Sequence, residues 1–128
     1  MAGLPTRRRY LRVLPEAANP VKVSLIGADF IDELKAVDIS RGGLGIIAPS
    51  KFRGCNLYEQ VDIAISLPYP KRILVKATGK IVHVQGSRFG IAFLKIPKKS
   101  EKFIEMYIAK RIEKDNVVKR MAFYFGFI

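Results

Sequence analysis

The chain has 128 residues, 49% of them hydrophobic, and 23 Lys and Arg against 11 Asp and Glu give a formal net charge of +12. These values fit one domain with one real core; no run nears the roughly 18 continuous apolar residues of a spanning helix, the basic start has no apolar stretch or cleavage site and so no signal peptide is expected, and a lone Cys55 excludes an internal disulfide and fits a reducing cytoplasm. The charge attracts phosphates, nucleic acid or acidic membrane and also serves plain solubility, so the positions of the charges must decide.

Residues 1–20 read as a basic, flexible segment, because Pro5, Pro15 and Pro20 remove backbone donors. Val21, Val23 and Leu25 then alternate with Lys22 and Ser24, the period of a half-buried strand. A weaker strand over 30–39 ends in Val37-Asp38-Ile39-Ser40, Gly42-Gly43 punctuates, and Leu44 to Ala48 resumes an apolar run. Residues 50–58 read as a loop. Val61, Ile63, Ile65 and Leu67 share one strand face, and a turn follows at Pro68-Tyr69-Pro70. Ile73, Val75, Ala77 and Ile81 continue the alternation until it breaks near Val82, where a bulge is expected. Gln85-Gly86-Ser87 is a tight turn, and Phe89, Ile91 and Phe93 face one side. Short antiparallel strands of this kind point to a closed barrel or a sandwich.

Lys98 to Lys114 has helical periodicity, with Phe103, Ile104, Tyr107, Ile108 and Ile112 on one stripe that would close an end of the barrel. Ser100 is the expected N-cap, and Lys110, Arg111 and Lys114 suit the far end of the helix dipole. Residues 115–128 form an apolar tail, from Val117 and Val118 to Phe127 and Ile128. It is read as a second helix or extended piece docked on the barrel, or as a surface for self-association or a partner.

Two motifs carry chemistry. One is Arg7-Arg8-Arg9-Tyr10-Leu11-Arg12, which holds Arg-x-x-x-Arg at Arg8 and Arg12; the other is Asp38-Ile39-Ser40-Arg41-Gly42-Gly43, which holds Asp-x-Ser-x-x-Gly. Arginine's planar fork matches phosphate oxygens and the O6/N7 edge of guanine, and its face stacks on purines. A carboxylate such as Asp38 accepts the hydrogen bonds that guanine donates from N1 and N2. Ser40 adds one hydroxyl, and Gly43 permits a sharp turn or a close approach of a base. Together they describe a site for an anionic guanine nucleotide. Taken alone, the arginines suit a solvated basic arm, and Asp38 and Ser40 suit a simple turn. Tyr10 is equally suited to stacking on a base or packing on the barrel. His83 sits in a strand without a metal-ligand partner and reads as structural, and Cys55 lacks a catalytic partner. Gly42, Gly43 and Gly45 are not a phosphate-binding loop, since no Gly-Lys-Ser/Thr or helix start follows.

These motifs in this order, with the later Gly79-Lys80-Ile81-Val82 and Phe89-Gly90-Ile91-Ala92-Phe93 strands, resemble the PilZ domain over roughly residues 6–112. The resemblance implies a six-stranded antiparallel β-barrel followed by a C-terminal helix. It implies that Arg8 and Arg12 clamp cyclic di-GMP from the N-terminal segment while Asp38, Ser40 and Gly43 contact it from the barrel, with Arg9 in the same cluster. Arg7, directly before the pair, implies two stacked ligand molecules. On this reading the chain is a cytoplasmic bacterial receptor and not an enzyme. It needs no cofactor or metal, and its N-terminal loop orders on binding to signal to a protein partner. Two alternatives stay open: a basic barrel that binds nucleic acid through aromatic strands, and a PilZ-like adaptor that works without ligand.

Overall fold

The computed structural model describes residues 10–26, 31–48 and 56–124; Arg7, Arg8, Arg9, Cys55 and residues 125–128 lie outside them. Six strands, β1 (Lys22–Ile26), β2 (Ile31–Ser40), β3 (Gly43–Ile47), β4 (Gln60–Leu67), β5 (Ile73–Gln85) and β6 (Arg88–Lys95), precede one helix, α1 (Lys98–Tyr124). The strands close a barrel in the order β1-β2-β3-β6-β5-β4. Every pairing is antiparallel, and β1 with β4 completes the ring.

The period-two patterns cause this closure. On β4, Val61, Ile63, Ile65 and Leu67 are buried while Gln60 and Asp62 face out. Ile39, Leu44, Ile91 and Ile81 form one inward row across β2, β3, β6 and β5. Each such side chain removed from water contributes roughly 1.5–3 kcal/mol. Phe89 and Ile91 are buried and Phe93 packs against the same core, as the alternation predicts.

Two departures from regular pairing matter. The register of β5 against β6 shifts between Ile81 and His83, the bulge expected at Val82. A second shift falls in β2 between Ala36 and Asp38, where nothing in the sequence pattern announces it. Without it, Asp38 and Ser40 would point inward with Ala36. The extra residue, Val37, reverses the alternation, so Ile39 enters the core and Asp38 and Ser40 turn to the outer wall.

The β2–β3 turn, the β4–β5 turn and the exit from β6 lie at one end of the barrel, and α1 closes that end. Ile104, Tyr107 and Ile108 join the core, and Phe103 and Ile112 pack beside them. The helix differs from expectation at both ends. It starts at Lys98, with the Glu101 amide donating to the Pro97 carbonyl, so Ser100 lies inside the first turn and is not the N-cap. It also passes Lys114 without a break and runs to Tyr124, a length of about 40 Å. Lys110, Arg111 and Lys114 therefore sit mid-helix rather than at its end. No helix of the described residues is long and apolar enough to cross a membrane.

Residues 10–20 run along the barrel rather than away from it. Ala36 still donates to the carbonyl of Val21, just before β1, but at Ile39 the partner is Val13, with amide–carbonyl bonds of 3.0 Å in both directions. Val13 is buried. The N-terminal segment thus occupies the edge of β2 that β1 leaves open, next to Asp38.

Candidate functional site

Asp38 is the centre of the site. Its side chain is only 10% exposed, yet it lies on the outer wall, and each carboxylate oxygen accepts from a different guanidinium. Arg12 Nη1 donates to Oδ1 at 3.1 Å, and Arg88 Nη2 donates to Oδ2 at 2.7 Å. Arg12 comes from the N-terminal segment and Arg88 from the start of β6, so three distant stretches of chain meet at one carboxylate. Both arginines stay partly exposed, at 36% and 49%, and so remain open to an incoming anion.

Ser40 builds the adjoining turn. Its hydroxyl accepts from the Gly42 amide at 3.1 Å and donates to the Gly43 carbonyl at 3.3 Å. This is the turn role that Ser-x-Gly chemistry suggests, and it leaves a second lone pair on the hydroxyl oxygen. Gly43 is required by a close backbone approach, since a Cβ there would stand 2.1 Å from the Ile91 carbonyl oxygen. The Tyr10 ring lies over Gly42, where a Cβ would come within 2.6 Å of it, and the Arg41 guanidinium sits 5.7 Å from the ring centroid. Tyr10 therefore packs on the turn while remaining 40% exposed at the rim of the site. Arg41 also pairs with Glu105 at 2.9 Å and Glu101 at 3.6 Å, which ties the turn to α1.

The N-terminal segment is held beyond Arg12 as well. Arg111 Nε donates to the Leu14 carbonyl at 2.7 Å, and the Tyr69 hydroxyl donates to Glu16 Oε1 at 2.7 Å. Lys114 stands 4.1 Å from the centroid of the Tyr69 ring and 3.7 Å from Glu16. The Tyr69 hydrogen bond, with Lys114 and Arg111 nearby, holds the Glu16 carboxyl below its ordinary range, against burial that acts the other way. Burial first, then the bond to Glu16, pushes the Tyr69 hydroxyl well above its usual value.

The structure brings Arg12, Asp38, Ser40 and Gly43 onto one stretch of outer wall, while Arg7, Arg8 and Arg9 fall outside the described residues. Arg88 was not among the sequence candidates. Nothing local distinguishes it from the other 22 basic residues; only the register of β6 on β3 places it beside Asp38. Of the strand aromatics, Phe89 is buried and Phe93 is partly buried against the core, so neither lies fully on the outer wall. Among the described residues no group of His, Cys, Asp or Glu is arranged to hold a metal ion.

A family profile for the PilZ domain matches residues 6–110. The chain belongs to the PilZ family. No curated protein sequence matches it, but solved PilZ structures share its fold. The YcgR PilZ domain from Escherichia coli, solved with c-di-GMP, superposes with a TM-score of 0.71 at 15% identity, covering 90% of this chain and 98% of that one. The Bacillus subtilis inhibitor of motility, MotI/DgrA, gives 0.70 at 14% identity over 86% of this chain. This chain spans only 54% of MotI/DgrA, about half its length. Borreliella burgdorferi PlzA, solved in complex with c-di-GMP, gives 0.53 at 18% identity, covering 80% of this chain and 41% of that one. At these identities the comparison concerns the PilZ fold, and the chemistry rests on the residues above.

Proposed function

We propose that this PilZ domain is a receptor for cyclic di-GMP. The observation that carries the reading is the Asp38 carboxylate, turned onto the outer barrel wall by the β2 bulge and flanked by two partly exposed guanidiniums. Without ligand, the arginines neutralise the carboxylate. A guanine nucleotide offers each group a better-matched partner: its phosphates take guanidiniums, and its N1–H and N2–H donate to the carboxylate oxygens. The exchange keeps every charge partnered, so affinity comes from the difference between the two sets of contacts. The solved complexes of YcgR and PlzA with c-di-GMP support the choice of ligand.

In this proposal Arg8 and Arg12 clamp the phosphates, with Arg7 and Arg9 alongside, and Arg7 favours a stacked pair of ligand molecules. The N-terminal segment closes over the ligand and orders there, a segmental switch of a known kind. The reshaped surface is then read by a protein partner in the cytoplasm, and the helix beyond Lys114 is the candidate contact for that partner or for a second copy.

Calorimetric titration with cyclic di-GMP tests this. The nucleotide-free wild type should bind, and Arg8→Ala and Asp38→Ala should each lose roughly one to two decades of affinity, as expected for one charge-assisted contact of about 1.5–3 kcal/mol. A stoichiometry of two per chain supports the stacked pair. A wild type that does not bind at cellular concentrations of the messenger leaves a ligand-independent adaptor in its place.

A further inference from the structure

The outer wall beside Asp38 has an unusual composition. Asp38 pairs with Gly45, Gly45 with Gly90, and Gly90 with His83, so one outward row crosses β2, β3, β6 and β5. The next outward row reads Ser40, Gly43, Ala92, Lys80. The inward row between them is apolar and buried, which fixes the outward direction of both. From Asp38 to His83 the wall spans three strand spacings, about 14 Å. Within these two rows no side chain larger than a methyl group rises from the two middle strands.

The floor is closely bordered. A Cβ at Gly45 would lie 3.0 Å from Asp38 Oδ1, and one at Gly90 would lie 3.1 Å from His83 Cβ. Arg88, which pairs with Ile47 at the end of the wall, reaches across β3 to Asp38. One cation therefore already lies over the floor. His83 is exposed, and among the described residues its polar contact is an exposed 3.3 Å approach of Nε2 to Gln85 Oε1. Both side chains can meet a ligand without any change in the core.

Resting on the reading of this site as a guanine-nucleotide receptor, we propose that the ligand lies across the glycine floor between Asp38 and His83, with Arg88 as a further phosphate-binding guanidinium and His83 as the contact at the far end. A flat planar base fits a wall without side chains. Arg88, once the guanine edge replaces it at Asp38, stays within reach of a phosphate. Neither residue belongs to the two motifs that the sequence displays.

His83 is the only histidine in the chain, so its imidazole gives one assigned signal in a proton–carbon correlation spectrum. Saturating wild type with cyclic di-GMP should shift that signal. His83→Ala should weaken binding about fivefold and Arg88→Ala about tenfold, the smaller end of the range for polar and charge-assisted contacts. Cooperative melts, with His83→Ala at the wild-type melting temperature and Arg88→Ala lower only by the few degrees that one lost ion pair costs, would show that the fold is intact. The Arg88→Ala loss should persist in an Asp38→Ala background. If it vanishes there, Arg88 acts only by positioning Asp38, and the phosphate contact is wrong. If wild type binds tightly while the imidazole signal stays fixed and His83→Ala binds equally well, the ligand does not cross the floor. A wild type that does not bind overturns the reading of the site and this inference together.

Discussion

Replacing Asp38 with alanine should cost stability even without ligand, and the amount follows from the geometry. Two guanidinium contacts are lost, at 3.1 Å to Arg12 and 2.7 Å to Arg88. A charge-assisted bond between well-shielded groups contributes about 1.5–3 kcal/mol, but these arginines are 36% and 49% exposed and water takes over much of their solvation. Each contact is therefore discounted to the upper part of the surface range, about 0.5–1 kcal/mol. The loss also leaves two guanidiniums side by side on a chain of net charge +12, which adds some repulsion. The expected sum is about 1–2 kcal/mol, or a melting temperature lower by about 4–8 °C for a domain of this size. Denaturant titration of Asp38→Ala, Arg12→Ala, Arg88→Ala and the two double variants measures it. Each pair should show a coupling of about 0.5–1 kcal/mol that shrinks at 1 M salt, as screening of partly exposed charges requires. Additive double variants, or an Asp38→Ala chain within about 0.3 kcal/mol of wild type, would refute the placement of both arginines at this carboxylate.

Gly43→Ala must move backbone, because its Cβ would meet the Ile91 carbonyl at 2.1 Å; a loss of about 2–4 kcal/mol in a chemical melt is expected. Gly42→Ala meets only the edge of the exposed Tyr10 ring and should cost less than half as much in the same assay. Glu16 has its folded pKa lowered, chiefly by the Tyr69 hydroxyl, so its contribution is present above the ordinary carboxylate range and is lost as pH falls through the folded value. The melting-temperature gap between wild type and Glu16→Gln should accordingly be constant near neutrality and close on acidification; a gap that widens in acid would contradict the network. Burial pushes the Tyr107 hydroxyl up to about 12, so its neutral form supports the fold fully below pH about 10, and that support is lost as pH rises through the folded value. Among the described residues its hydroxyl meets no partner at hydrogen-bond geometry, Tyr69 being a nearby polar influence, so Tyr107→Phe should be neutral or stabilising by up to about 1 kcal/mol in thermal melts, and should flatten the alkaline loss.

Most of the barrel was legible because its strands alternate cleanly. Val61 to Leu67 shows one face, and the broken rhythm at Val82 announced its bulge. The β2 bulge was not legible, since Leu34, Ala36, Val37 and Ile39 supply apolar residues at both parities and either phase looks plausible. That silent bulge decides which way Asp38 points. The helix was read too short because the apolar stripe through Ile112 ends where the barrel ends, whereas the helix continues, with exposed side chains from Glu113 to Lys119. Ser100 was misplaced for a related reason: a good capping residue also tolerates the first turn, and the Pro97 carbonyl already begins the ladder. The motif residues Arg12, Asp38, Ser40 and Gly43 were visible as local patterns. Arg88 and the row from Gly45 to His83 exist only through strand register, which a linear pattern does not encode.

The bond from Arg111 to the Leu14 carbonyl makes the start of the chain and its last helix mechanically one part. Leu14 is two residues from Arg12, while thirteen residues of α1 extend past Arg111, about 20 Å of stiff rod. A displacement of the N-terminal segment that also frees Val13 from Ile39 must therefore snap that bond or tip the rod. A tilt of about 10° would sweep the far end of such a rod through about 3–4 Å. Val117 and Val118, exposed on that lever, would travel with it.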